Sequence, residues 1–290
     1  MKKINICYAV DENYVNYLRV SMYSVLKNRS REYSYEFIIL HSNLSENSRE
    51  FIRTLITKEA NADIRFVDVS SVDGLKAEVA SYLTVATYYR LYLLSDCFAD
   101  YERILYLDCD TIAEKDVSEL FFTDIEDKAV AGVEEISFRV LSRTKKAVFI
   151  NGSIPYNIDN YRKEALLMKN PQSYFNAGVI LFDLTKCRKE CSFEEAVEIL
   201  RTKKYNYHDQ DVLNMLFDGK VKLLDYGWNY QNCAEVLCKK RPEIYNEMFA
   251  DVRCKSPKII HFVSYYKPWK FDVEFGDIYK KYEKETAEIE

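Results

Sequence analysis

Two aspartates one residue apart close the stretch RILYLDCD, residues 103–110. In an extended chain residues i and i+2 share a face, so Asp108 and Asp110 project together and Cys109 points away. Two carboxylates side by side at the end of a buried strand repel, and burial is costly unless a cation neutralises them. Their hard oxygens suit Mg²⁺ or Mn²⁺, which bridge protein carboxylates to nucleotide phosphates. Two solvated acids at an ordinary strand end are the plain alternative; the apolar strand before them favours the cation. His261 ends a second apolar run, KIIH, and only His41 and His208 compete with it. A neutral imidazole there completes the coordination of Mn²⁺ more readily than of Mg²⁺. Taken alone, a histidine near a core is more often a hydrogen-bonded core residue than a ligand. Lys267 follows six residues on, in KPW. Its ammonium either reaches the diphosphate that the metal holds or sits at the surface beside Trp269.

The chain has no GxxxxGK[ST], no GxGxxG after its first strand and no GxSxG. A nucleotide is therefore held by carboxylates, metal and side chains rather than by a glycine cradle. Strand-like and helix-like segments alternate around these residues. Apolar runs at 4–10, 35–40, 64–69 and 103–107 read as strands, as do 129–133 and 177–184. Tyr14, Leu18, Met22 and Val25 recur at helical spacing, and 44–58 reads as a helix capped by Ser45 or Asn43. Further helices are expected over 86–94, 193–201 and 209–217, and short strands over 221–224 and 258–262. This order predicts an α/β fold with a single, mostly parallel central sheet flanked by helices. Such sheets bind ligands beyond the carboxyl ends of their strands. With no internal repeat and no Pro/Gly-rich linker, residues 1–271 read as one domain. Residues 139–173 form a polar, lid-like excursion within it, and 272–290 a solvated helical tail.

Composition narrows the classes. With 290 residues, 48% hydrophobic and 14% aromatic, the chain can bury a large core. Disorder is excluded, and Gly 7 with Pro 5 excludes collagen-like sequence. Lys and Arg total 41 against 46 Asp and Glu, a net charge of −5 with no basic block, which argues against nucleic acid. Eight cysteines without paired CxxC knuckles read as reduced thiols in a cytoplasmic protein rather than a zinc site. The N-terminal apolar stretch is too short for a secretion signal, and no run long enough to span a membrane occurs. The acidic tail lacks the Lys/Arg clustering of a membrane anchor, which leaves peripheral association or docking on a partner open.

In this order the residues resemble the retaining glycosyltransferases of family 8, the group that contains bacterial lipopolysaccharide galactosyl- and glucosyltransferases and glycogenin. The resemblance runs over residues 4–269. It implies a GT-A type nucleotide-sugar-binding fold, a UDP-glucose or UDP-galactose donor, a saccharide or glycoconjugate acceptor, and Mn²⁺ or Mg²⁺. By resemblance, YAVDENY places Ala9, Asp11 and Asn13 around uracil and ribose, and ATYYRL places Arg90 against the donor sugar or its phosphates. YLDCD supplies the metal ligands Asp108 and Asp110, and FNAGV sets Asn176 and Ala177 at the sugar hydroxyls. HDQDVLN puts Asp209 on a sugar hydroxyl and Gln210 beside the anomeric carbon. HFVSYYKPW resembles HxxGxxKPW, which gives His261 as third metal ligand and Lys267 on the β-phosphate. Ser264 stands where that motif has glycine; its N–H or hydroxyl either replaces the close backbone approach or crowds the diphosphate. A further acidic residue of the family falls at Glu134 or Glu135. Retention with Gln210, an amide and a poor nucleophile, favours front-side attack by the acceptor within a short-lived ion pair. A self-glucosylating initiator, a metal-dependent phosphohydrolase and a non-catalytic nucleotide-sugar binder are the competing readings.

Overall fold

Short runs of β-branched and aromatic residues form the strands. In chain order they are β1 (Lys2–Val10), β2 (Tyr33–His41), β3 (Ala62–Asp68), β4 (Arg103–Leu107), β5 (Thr111–Ala113) and β6 (Val130–Glu134). Then come β7 (Val148–Ile150), β8 (Ile154–Tyr156), β9 (Phe175–Asp183), β10 (Val221–Leu223), β11 (Tyr230–Gln231) and β12 (Ile259–His261). The computed structural model describes residues 1–72, 85–145, 148–150, 154–202, 205–263 and 265–289.

Seven strands make the central sheet in the order β10-β6-β9-β4-β1-β2-β3. Its pairs are parallel except those of β9, which runs antiparallel to both β4 and β6. All nine residues of β9 are buried, the continuous apolar run of a strand covered on both faces. The mostly parallel central sheet is thus as expected. Two small sheets accompany it, β11-β12-β5 and β7-β8. The expected 258–262 strand is β12, and it pairs antiparallel with β5 rather than with the central sheet.

Alternate residues of each strand serve opposite faces. Cys7, Ile38, Ile104, Ile180 and Phe182 face one core; Ile6, Tyr8, Ile39, Leu105 and Leu181 face the other. Helix Val15–Asn28 covers the second face through Leu18, Met22 and Val25. The first face is covered by the helices Phe193–Thr202 and His208–Leu216 and by residues Val85–Leu94, which form a 3₁₀ helix. The 44–58 helix is shorter than its pattern, Glu46–Arg53, and Ser45 caps it by accepting the Ser48 N–H at 3.1 Å.

The tail is helical, largely exposed, with one buried stripe. Helix Gly276–Ala287 buries Tyr279, Tyr282 and Thr286, and Asn28 Nδ2 donates to the Tyr282 hydroxyl at 2.7 Å. Trp269 lies between this helix and the first one, stacked on Tyr17 at 3.7 Å and 5.4 Å from Tyr279. That anchor fixes the loop that carries Lys267. In the 139–173 stretch, Ile158, Tyr161, Leu166 and Met168 enter the larger core, while residues 146–147 and 151–153 lie outside the described residues. Among the described residues no helix is long and apolar enough to cross a membrane.

Candidate active site

A cavity of about 410 Å³ opens where β1 and β4 end and β9 begins. Ala9 and Asp11 reach it from the end of β1, and Asn176 and Ala177 from β9. Asp209 and Gln210 reach it from the first turn of helix His208–Leu216. Arg90, Asp108, Asp110, His261 and Lys267 complete the expected set on its wall. Asn13 does not reach it: this residue is exposed, and its N–H donates to Asp11 Oδ1 at 2.9 Å to cap the turn Glu12–Tyr14. Ser264 lies outside the described residues.

Asp108 and Asp110 converge through a turn, not through strand alternation. The strand ends at Leu107, and the Thr111 N–H and hydroxyl both donate to the Asp108 carbonyl, at 3.2 and 2.8 Å. Cys109 between them is buried, with its thiol on the Ala9 carbonyl at 3.3 Å. Pairing of Thr111 with His261 across β5 and β12 then brings the imidazole to the two acids. One ligand atom from each of Asp108, Asp110 and His261 lies within 4.8 Å of the others. His261 Nε2 is 3.3 Å from Asp110 Oδ1 and 3.8 Å from Asp108 Oδ2.

Two cations make this acid pair tolerable. Arg90 Nη2 lies 2.9 Å from Asp108 Oδ1, which also accepts the Tyr106 hydroxyl at 2.9 Å. Lys267 Nζ donates to Asp110 Oδ2 and to the Phe262 carbonyl. Burial works against the Asp110 carboxylate, but Lys267 and His261 outweigh it and hold its pKa below the usual range. Asp110 Oδ1 remains buried without a hydrogen-bond donor. An orphaned carboxylate oxygen beside a second acid and an imidazole nitrogen is a donor set that fits Mn²⁺ or Mg²⁺.

Arg90 is engaged by the protein's own acids. Only 5% exposed, it also lies 2.9 Å from Asp209 Oδ2 through Nε, and its guanidinium stands 4.4 Å over the Tyr106 ring. Burial opposes its charge, and Asp108 and Asp209 together reverse that effect, so its pKa rises. Asp209 is pushed up by burial despite Arg90 and a 2.6 Å hydrogen bond from Thr87. Gln210 is held at both ends of its amide: Oε1 accepts the Ala177 N–H at 2.8 Å, and Nε2 reaches Glu135 Oε2 at 3.3 Å.

The structure separates Glu134 from Glu135. Glu135 lines the cavity and accepts Asn176 Nδ2 at 2.8 Å, whereas Glu134 pairs with Arg139 at 2.8 Å. Sequence reasoning missed Thr87, His208 and Asn229. The first two stood inside quoted motifs without a role. His208 has a left-handed backbone (φ 51°) and its Nδ1 lies 3.1 Å from the Tyr88 hydroxyl. Asn229 lay in no motif, and its side chain meets His261 Nδ1 at 2.9 Å.

Asp211, one residue past Gln210, is wholly buried and anchors that helix. It accepts the Tyr161 hydroxyl, the Tyr174 hydroxyl at 2.6 Å and the Tyr207 N–H at 2.9 Å. Burial outweighs these three donors and pushes its pKa up to about 6. Because that folded value lies above the unfolded 3.8, its ionisation weighs increasingly against the fold between pH 3.8 and about 6. Tyr174→Phe should therefore cost about 2 kcal/mol at pH 7.5, where the lost bond is to a charged group, and about 1 kcal/mol at pH 5. Urea unfolding at the two pH values checks this; equal losses would contradict it.

Residues 5–272 match the profile of glycosyl transferase family 8. A putative glycosyltransferase of Haemophilus influenzae is 28% identical over 244 residues, 82% of this chain and 66% of its own length. A lipopolysaccharide 1,2-glucosyltransferase of Escherichia coli is 26% identical across 92% of this chain and 72% of its own length. Among solved structures, the apo form of the WbbM bifunctional glycosyltransferase superposes with a TM-score of 0.85 at 24% identity, over all of this chain and 52% of that one. The chain thus spans just under two thirds of the Haemophilus relative and about half of WbbM. The fold is of the GT-A type.

Proposed function

This chain belongs to glycosyl transferase family 8, and we propose that it moves glucose or galactose from a UDP-sugar to a saccharide or glycoconjugate acceptor with retention of configuration. The observation that carries the reading is the orphaned oxygen of Asp110 beside Asp108 and His261, in a cavity that also holds Arg90 and Lys267.

Asp108, Asp110 and His261 would hold Mn²⁺ or Mg²⁺, which as a Lewis acid supplies charge stabilisation for a departing diphosphate. Lys267 adds a fixed positive charge at the same end, aimed by Trp269 and by the Phe262 carbonyl. Asn176 and Ala177 meet the sugar hydroxyls, with Asp209 opposite them. Ala9 and Asp11 flank the nucleoside. Gln210, held by the Ala177 N–H and Glu135, presents an amide dipole that steadies positive charge at the anomeric carbon. The C1–O bond to the diphosphate breaks as the acceptor oxygen bonds C1 on the same face. The acceptor proton passes to the leaving phosphate oxygen. A cytoplasmic location keeps the eight free cysteines reduced.

Thermal unfolding with UDP-glucose or UDP-galactose, each with and without Mn²⁺, tests the reading. Stabilisation is expected only when sugar nucleotide and metal are both present, about 2.7 kcal/mol at a hundredfold excess over Kd. No shift with either donor would overturn it.

A further inference from the structure

A neutral imidazole binds a cation through whichever ring nitrogen lacks the proton. His261 turns Nε2 toward Asp108 and Asp110, and its Nδ1 lies 2.9 Å from Asn229 Oδ1. The end of Asn229 that faces the ring is decided two groups away. The Gly178 N–H can only donate, and it donates to Asn176 Oδ1 at 3.0 Å. Asn176 Nδ2 then points the other way, onto Glu135 Oε2 at 2.8 Å, where a carboxylate accepts it. The second hydrogen bond to Asn176 Oδ1 comes from Asn229 Nδ2 at 2.9 Å. A primary amide has one donor end and one acceptor end, so Asn229 Oδ1 is committed to the ring and Nδ1 must carry the proton. Glu135, Asn176, Asn229 and His261 are each at most 8% exposed, so water has little access to replace a reversed partner.

The opposite tautomer would set the bare Nδ1 against Asn229 Oδ1. Turning Asn229 over to correct that would set Asn229 Oδ1 against Asn176 Oδ1, two buried acceptors face to face. The Nε2 contact with Asp110 Oδ1 offers no compensation, since that oxygen has no hydrogen bond of acceptable geometry. We infer that Asn229 is a positioning residue: it holds His261 in the Nδ1–H tautomer and keeps the Nε2 lone pair aimed between Asp108 and Asp110 for a divalent cation. The inference rests on reading those three residues as the cation group. Glu135 also receives Gln210 Nε2, so one carboxylate orients both the imidazole and the amide across the cavity.

The test is ¹⁵N NMR of the imidazoles in metal-free protein at pH 8, with His41 and His208 as internal references, beside direct Mn²⁺ titration by calorimetry. Wild-type His261 is expected with Nδ1 protonated and Nε2 bare. Asn229→Leu should shift the ring toward Nε2–H and weaken Mn²⁺ binding about 10–100-fold, the usual cost of losing a partner behind a ligand. Asn229→Asp keeps an acceptor for Nδ1–H and should keep the tautomer, while the loss of the donor to Asn176 Oδ1 leaves two buried acceptors facing each other and is read as a loss of stability. Wild-type protein with Nε2–H, or a folded Asn229→Leu with unchanged tautomer and affinity, would overturn the inference. If Asn229→Leu does not fold, the wild-type spectrum and the Asp variant decide. Failure of wild-type protein to bind Mn²⁺ would sink the cation reading instead, while the ring spectrum still reports on Asn229.

Discussion

Asp110→Ala is expected to lower the transfer rate about a thousandfold at saturating UDP-sugar and Mn²⁺. The residue has two separable jobs. Its Oδ1 is the buried oxygen without a donor, and its Oδ2 holds Lys267. On the proposed function, alanine would remove an oxygen ligand, and it frees Lys267 from its Asp110 partner. A bound divalent cation typically supplies several kcal/mol of charge stabilisation. At 1.36 kcal/mol per tenfold, losing about 4 kcal/mol is a factor of about a thousand. The fold should survive, because the turn around it is held by backbone groups: Thr111 on the Asp108 carbonyl, and the Phe262 N–H on the Asp110 carbonyl at 3.0 Å. Initial rates beside urea unfolding separate the two effects. A loss of less than tenfold in a folded variant would sink Asp110 as a ligand.

The continuous apolar runs made β1, β2, β4 and β9 legible, and with them the sheet edge where the acids gather. What the runs could not convey is how the chain leaves the strand. Asp108 and Asp110 meet in a turn closed by Thr111, a geometry that residue alternation does not contain. Glu134 and Glu135 stayed indistinguishable for a similar reason: β6 shifts register against β9 between Gly132 and Glu134, so simple alternation no longer says which acid faces the cavity. The buried stripe of the tail helix was not legible because Tyr279 and Tyr282 stand among lysines and glutamates, a pattern that resembles a solvated face. The helix 86–94 looked ordinary; the chain winds as 3₁₀ there, and the Arg90 guanidinium on the cavity wall is also set between Asp108 and Asp209, a pairing that no motif conveys. Asn229 was beyond reach. Its meaning exists only once positions 135, 176 and 261 are neighbours in space.

Gly178→Ala should cost at least a hundredfold in transfer and abolish Mn²⁺-dependent stabilisation by UDP-sugar, although Gly178 bears no reactive group. A methyl there would stand 2.1 Å from His261 Cε1, 2.7 Å from Nδ1 and 2.8 Å from Nε2, far inside contact distance. Neither side yields cheaply. The ring is held by Asn229, and β9 is locked in place by the Asp108 N–H on the Gly178 carbonyl at 2.8 Å and by pairing of Val179 with Leu107. Overpacking of this kind costs about 1–3 kcal/mol of stability, and the ring is the smaller body to displace, so the imidazole leaves the acids. The decisive comparison places the same change in a His261→Ala background. There the obstructing ring is gone, so Gly178→Ala should add almost nothing, in rate or in urea midpoint, to the loss already caused by His261→Ala. Such non-additivity marks two residues in direct contact. Costs that simply add would mean that the methyl strikes something other than His261, and the close approach of β9 to the imidazole would lose its role in shaping the site.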